Sequence, residues 1–130
     1  MRLLLDSHIL LWVFDETTRL SAVAREAIEE EDNVLFVSTA SLWELQHKIS
    51  RGRLQLKTPL AEMVATLVDQ GNCQILPVFA DHIWNMSTIP WHHNDPVDRL
   101  LIAQARVEGL VFVTADDEIK KYGDVVSLLC

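Results

Sequence analysis

The chain alternates short, wholly apolar runs with longer segments whose apolar residues recur every three or four positions. Arg2–Leu5 is a short apolar run, and Ser7–Phe14 after it reads as a helix. Ser21–Glu30 reads as a second helix, with Ser21 placed to accept the N–H groups that a first turn leaves free. "NVLFVS" (Asn33–Ser38) is a compact strand, and Ala40–Arg51 is a helix with Gly52 where a left-handed residue ends helices. Pro59–Gln70 is a helix opened by a proline near its first position and closed by Gly71. "CQILPV" (Cys73–Val78) is a short strand, and Phe79–Thr88 is helical. Pro96–Glu108 is a helix with Asp95 as cap, Pro96 at the first position and Gly109 as stop. Leu110–Thr114 is a strand, and Val125–Leu129 forms a last one.

Strands alternating with helices predict βαβ units, hence an α/β fold with a central parallel sheet flanked by helices on both faces. Right-handed crossovers set the carboxyl ends of the strands along one edge. Ligands of such sheets bind in the crevice at that edge. No repeat, low-complexity tract or linker interrupts the pattern, so residues 1–130 are expected to form one domain with a real core. The opening "MRLLLDSHILLWVFDE" mimics a secretion signal, but Asp6 and His8 interrupt it and no small-residue cleavage site follows. It is expected to be the first strand and helix. No apolar run approaches the roughly 18 residues that span a bilayer, so no membrane association is expected.

Composition adds a compartment and a constraint. With 49% hydrophobic and 23% charged residues the chain has the make-up of a folded globule. Its two cysteines, Cys73 and Cys130, are far apart and lack metal-type spacing, which suggests a reducing, cytoplasmic setting. The net charge of −8 argues against a protein that grips nucleic acid through a generally basic surface. It permits an enzyme that gathers acids in one metal site and keeps a local basic patch. "QHKISRGRLQLK" is such a patch, with Lys48, Arg51, Arg53 and Lys57 and no acid. Two readings stand: favourable charge at a helix C-terminus, and contact with RNA phosphates.

Four acids fall near the predicted sheet edge. Asp6 directly follows the first strand, Glu44 lies about two turns beyond the end of Val34–Val37, Asp98 is in the first turn of Pro96–Glu108, and Asp116 comes two residues after Thr114. Each also has an ordinary reading. Asp6 can cap the following helix. Glu44 completes a capping box with Ser41 and can pair with Lys48. Asp116 and Asp117 suit a turn. Asp95 caps its helix and can pair with Arg99. Asp98 fits the ordinary reading least, because Leu101 and Ile102 at i+3 and i+4 put it on an apolar stripe. Two like charges about 4 Å apart cost ~4 kcal/mol at an effective dielectric near 20. A shared pocket of such acids therefore takes up protons or cations. Oxygen ligands suit Mg²⁺ or Mn²⁺, ions that assist phosphodiester hydrolysis.

The chain resembles the PIN-domain nucleases, and more narrowly the VapC-type toxins of bacterial toxin–antitoxin pairs. The resemblance rests on "LLLDSHILLWVF", "VSTASLWELQHKISRGRLQL", "LPVFADHIWNMSTIPWHHNDPVDRLLIAQA" and "VFVTADDEIKKYG", and it runs nearly end to end. It implies that Asp6, Glu44, Asp98 and Asp116 are the metal-binding and catalytic acids. Thr114 matches a hydroxyl position near the metal. Asp95, in the "DPVDR" pattern, would support the ligands rather than join them. The implied activity is Mg²⁺- or Mn²⁺-dependent cleavage of RNA, restrained by a small cognate antitoxin. The implied assembly is a homodimer, with an antitoxin groove near the first two helices and Ala40–Arg51, where Trp12 and Trp43 lie. Competing readings are an RNA or protein scaffold that keeps the metal without turnover, and a metal-dependent phosphatase.

Other chemistries find less support. "DSH" lacks the second acid of a D-x-D phosphatase motif, and Asp6 has no neighbouring acid as a phosphoacceptor site would. His82, His92 and His93 lack the i, i+4 helical spacing of a zinc pair. Cys73 has no predicted base. The four glycines, Gly52, Gly71, Gly109 and Gly123, all fall at element ends and form no phosphate loop.

Overall fold

The computed structural model describes residues 1–130. Five strands, β1 (Arg2–Leu5), β2 (Val34–Ser38), β3 (Cys73–Leu76), β4 (Val111–Val113) and β5 (Leu128–Leu129), form one sheet in the order β3-β2-β1-β4-β5. Every neighbouring pair is parallel. Seven helices surround it: α1 (Ser7–Asp15), α2 (Ala22–Glu29), α3 (Thr39–Ser50), α4 (Leu60–Gln70), α5 (Ala80–Asn85), α6 (Pro96–Glu108) and α7 (Asp117–Lys120).

The period of two along each strand divides the core between two faces. Leu3, Leu5, Leu35, Val37 and Val113 point to one face, where Ile9 and Leu10 of α1, Ala24 of α2 and Val64 of α4 meet them. Leu4, Phe36 and Phe112 point to the other, against Leu101, Ile102 and Ala105 of α6, Ile119 and Tyr122. Helix α3 serves both, with Leu45 in the first layer and Ala40 in the second. A sheet buried on both sides explains the unbroken apolar runs of its central strands.

Strand order makes β1 the pivot. The chain builds outward through β2 and β3, then returns to the opposite side of β1 with β4 and β5. The switch point lies between the carboxyl ends of β1 and β4, where Asp6 N–H donates to Val113 O at 3.0 Å. A parallel sheet opens its ligand crevice at this place.

Several boundaries differ from expectation. Helix α3 starts at Thr39, capped by Ser38, whose side chain accepts from Ala40 N–H. Ser41 is therefore inside the helix and cannot form the expected capping box with Glu44. Beyond α3, Gly52 takes φ +72°. Gly52 N–H donates to Ile49 O at 3.0 Å, and Arg53 N–H to Lys48 O at 2.9 Å. These bonds close the helix in a Schellman motif. Pro59 caps α4 rather than sitting in its first turn. Strand β3 ends at Leu76 because Pro77 has no N–H to continue the ladder. The last strand shrinks to Leu128–Leu129, since Val125 and Val126 N–H groups turn back to Tyr122 O. No helix is long and apolar enough to cross a membrane.

Candidate active site

The ends of β1 and β4 are bonded through one hydroxyl. Thr114 Oγ1 donates to Asp6 Oδ2 at 2.7 Å and accepts from Asp116 N–H at 3.1 Å. Asp6 Oδ1 accepts from Ser7 N–H at 2.8 Å, so Asp6 caps α1 while its carboxylate faces the switch point. Asp116 caps α7, with Oδ1 accepting from Glu118 N–H at 2.9 Å. For these two acids the cap and the site are the same feature. Asp6 and Thr114 are almost wholly buried. Burial pushes the Asp6 carboxyl above the usual carboxylate range. Asp116 adds to the rise, while the bonds from Thr114 and Ser7 oppose it.

Helix α6 delivers Asp98 to this crevice. Asp95 is the cap, with Oδ1 accepting from Val97 N–H at 2.9 Å and Asp98 N–H at 3.0 Å, and it is exposed. One turn on, the Asp98 side chain is only 15% exposed. Burial raises its pKa to about 6, and the charges of Asp95 and Asp6 add to the rise. The two acids of "NDPVDR" thus divide cap and crevice as the apolar stripe predicted. The expected pairing of Asp95 with Arg99 does not form. Arg99 turns inward, donating to Pro90 O at 2.7 Å and Ile89 O at 3.1 Å.

His93 holds Asp98 in place. Its Nε2 lies 3.0 Å from Asp98 Oδ2, and its Nδ1 lies 2.8 Å from the buried Tyr122 hydroxyl. Three donors already point at that phenol oxygen: His92 N–H, His93 N–H and Arg99 Nη1. The hydroxyl proton therefore goes to Nδ1, which leaves the Nε2 proton to donate to Asp98. Neither His93 nor Tyr122 was singled out as a site residue in the sequence. The signal was the His-His pair just before the capped helix, and its meaning depends on a tyrosine 29 residues away.

Glu44 stands apart. It is half-buried on α3 and makes no hydrogen bond or ion pair with the three aspartates or with Lys48. Of the basic patch, Arg51, Arg53 and Lys57 are exposed and unpaired, and Lys48 is half-buried one turn beyond Glu44. The patch thus begins on the helix that carries Glu44.

As the side chains stand, no three acids or histidines are positioned to hold a metal ion together. Asp6 is bonded to Thr114 and Ser7, Asp98 to His93, and Asp116 to its own helix start. Each carboxylate keeps free lone pairs, and no Lys or Arg neutralises any of them. Carboxylate oxygens gathered at one crevice, with Asp116 pushing the Asp6 carboxyl up and Asp6 pushing that of Asp98 up, fit a hard divalent cation in kind. Asp6, Asp98 and Asp116 are the residues that would hold it.

The PIN-domain family model matches residues 3–125. The chain is 35% identical to Ribonuclease VapC22 of Mycobacterium tuberculosis over 121 residues, 92% of this chain and 90% of that relative. Among solved structures it superposes on VapBC2 from Rickettsia felis bound to a promoter DNA fragment, with a TM-score of 0.70 at 16% identity over 99% of this chain and 98% of that one. DNA-bound VapBC from Salmonella typhimurium gives 0.69 at 16% identity, over 99% and 97%. At such identities these two structures speak for the fold.

Proposed function

The chain belongs to the PIN-domain family, in its VapC branch, and from that premise we propose that it is a toxin endoribonuclease that hydrolyses RNA phosphodiester bonds with Mg²⁺ or Mn²⁺. One observation carries the reading: buried Asp6 and half-buried Asp98 meet at the sheet's switch point, where the charge of Asp6 helps to push the Asp98 carboxyl up. When bound there, a divalent ion supplies positive charge for the developing charge on phosphate and lowers the pKa of an attacking water. The chain's own residues do the rest. Thr114 fixes the rotamer of Asp6, and Tyr122 through His93 fixes that of Asp98. Asp116 stays near Asp6 through Thr114. Glu44, which stands apart on α3, would join the other acids only on a metal or substrate, and Lys48, Arg51, Arg53 and Lys57 beyond it would offer a path for the RNA backbone. Asp95 keeps the α6 start in register and so supports Asp98.

The partners follow the same premise. The Rickettsia and Salmonella structures are VapBC assemblies bound to DNA. For this chain we propose a small cognate antitoxin and a homodimer within a cytoplasmic, single-domain toxin. Two mostly apolar grooves flank α3. One, of about 590 Å³, is lined by Trp43, Val78, Met86, Val97 and Leu100. The other, of about 580 Å³, is lined by Leu42, Leu60, Val64, Val68 and Ile75. Both are lined in part by α3, which belongs to the proposed partner surface, and neither by α1 or α2.

Cleavage of RNA with Mg²⁺, with Mn²⁺ and in excess EDTA tests the reading. Activity that needs either ion and vanishes in EDTA is expected. Full activity in EDTA would overturn the metal mechanism. Metal-dependent RNA binding without cleavage would leave a scaffold.

A further inference from the structure

The tryptophan of "IPWHHND" is exposed in an unusual way. Trp91 is 75% exposed, yet one face of its indole lies on the Arg99 guanidinium at 3.6 Å. Arg99 itself is 2% exposed and fixed by Ile89 O, Pro90 O and the Tyr122 hydroxyl. The ring is thus held from behind by a buried cation and offers its other face to solvent. Trp43 and Trp84 are similarly exposed, but no cation lies on either ring, and Trp43 is stacked on His47. The platform also adjoins the acid crevice. A chain of contacts leads from the indole to Arg99, from Arg99 Nη1 to Tyr122 OH at 3.3 Å, from Tyr122 OH to His93 at 2.8 Å, and from His93 to Asp98 at 3.0 Å.

We propose that the outer face of Trp91 is a stacking platform for a nucleobase of single-stranded RNA, beside the bond to be cut. The inference rests on the ribonuclease reading and names where that substrate is gripped. Charge supports a nucleobase as the occupant. In a chain of net charge −8, phosphate contacts are left to the patch of Lys48, Arg51, Arg53 and Lys57, whereas base–aromatic stacking at Trp91 needs no basic residue. A ring fixed before binding also loses little freedom when a base covers it. Stacking tolerates any base, so Trp91 would contribute affinity and register rather than sequence choice.

The test compares Trp91→Phe with Trp91→Leu. Phenylalanine keeps a π-face, while leucine keeps apolar cover over Arg99 without one. Binding of a mixed-sequence single-stranded RNA oligonucleotide is measured in the Asp98→Asn background with Mg²⁺, and cleavage in the otherwise unaltered chain. The leucine variant is expected to weaken binding roughly tenfold and to raise KM with kcat little changed, while phenylalanine retains most of both. Melting curves and oligomeric mass are recorded for each. Equal binding by the two variants, each folded, would overturn the platform. So would a leucine variant that loses oligomeric mass at unchanged RNA affinity, which would make Trp91 a protein contact. If the unaltered chain neither binds nor cleaves RNA, the ribonuclease reading falls and this inference with it. If it cleaves RNA and leucine changes nothing, the inference falls alone.

Discussion

At its C-terminal end α6 presents Glu108 to His82 at 2.8 Å, and at its N-terminal end it presents Asp98 to His93 at 3.0 Å. Both rings face their acid through Nε2, while Phe79 N–H donates to Nδ1 of His82 and the Tyr122 hydroxyl lies against Nδ1 of His93. The surroundings separate them. His82 is fully buried and ties the start of α5 to the end of α6, while Gln104, one turn earlier on α6, bonds Ser38 and Pro77 O at the ends of β2 and β3. That end is an anchor. Asp98 instead lies near Asp6 and Asp95, whose charges push its pKa up. One interaction type serves stability where the acid stands alone and holds the proposed catalytic carboxylate where acids gather.

The largest effect should come from removing the charge at the reactive end. Asp98→Asn is expected to cut the cleavage rate by at least about a hundredfold, or ~2.7 kcal/mol of transition-state stabilisation. The fold should survive and gain stability at neutral pH. The sign follows from the proton count: the folded group titrates near 6 and the unfolded one near 3.8. The folded state therefore binds more protons between those values, and stability falls as pH rises through that window. Melting midpoints across that range should show this slope in the parent and a flatter profile in Asp98→Asn. Asp6→Asn should behave alike, since asparagine also caps. A sharp loss of stability with retained rate would make both acids mere caps.

His82→Ala should do the reverse. It removes a fully buried ring and leaves Phe79 N–H and Glu108 without a partner, which should cost ~2 kcal/mol of stability. The rate per folded molecule should stay near that of the parent. A rate loss larger than the stability loss explains would dissolve the contrast between the two ends of α6.

His93→Ala sharpens the comparison. The Asp98 carboxylate loses its holder, and a roughly tenfold fall in kcat, or ~1.4 kcal/mol, is expected, with less effect on unfolding. An unchanged kcat would mean that Asp98 needs no support from Tyr122 and His93. Smallest of all is Asp95→Asn, which keeps the cap and should change neither rate nor midpoint much. Asp95→Ala should lower stability by ~1 kcal/mol. Loss of activity in Asp95→Asn equal to that of Asp98→Asn would make Asp95 a ligand.

What was legible in the sequence was local. Repeat periods of two and of three to four residues are properties of neighbouring residues, so β1, β2, α6 and the Asp95 cap could be read directly. The stripe of Leu101 and Ile102 also placed Asp98 inward. What escaped was decided at a distance. His93 gains its role from Tyr122, and Arg99 leaves Asp95 for two carbonyls in the preceding loop and a ring stacked over it. Helix α7 is a single turn, too short for a period to register. Ser38 and Ser41 both precede helical sequence, and only the end of β2 decides which one caps α3.

The pairing of Leu3 with Val111 joins the two walls of the crevice across nearly the whole chain. During synthesis at about 5–20 residues per second, Asp6 waits roughly 5 to 20 s for Thr114 and Asp116 to be made. A ribosome-bound chain short of β4 has no partner for the carboxyl end of β1, and a carboxylate meant for burial remains in water. Chains stalled before Val111 should therefore leave β1 open to protease, and release of the complete chain should close it. Protection of β1 in the stalled chain would contradict this order. On the proposed reading, nuclease activity begins only once β4 has been made.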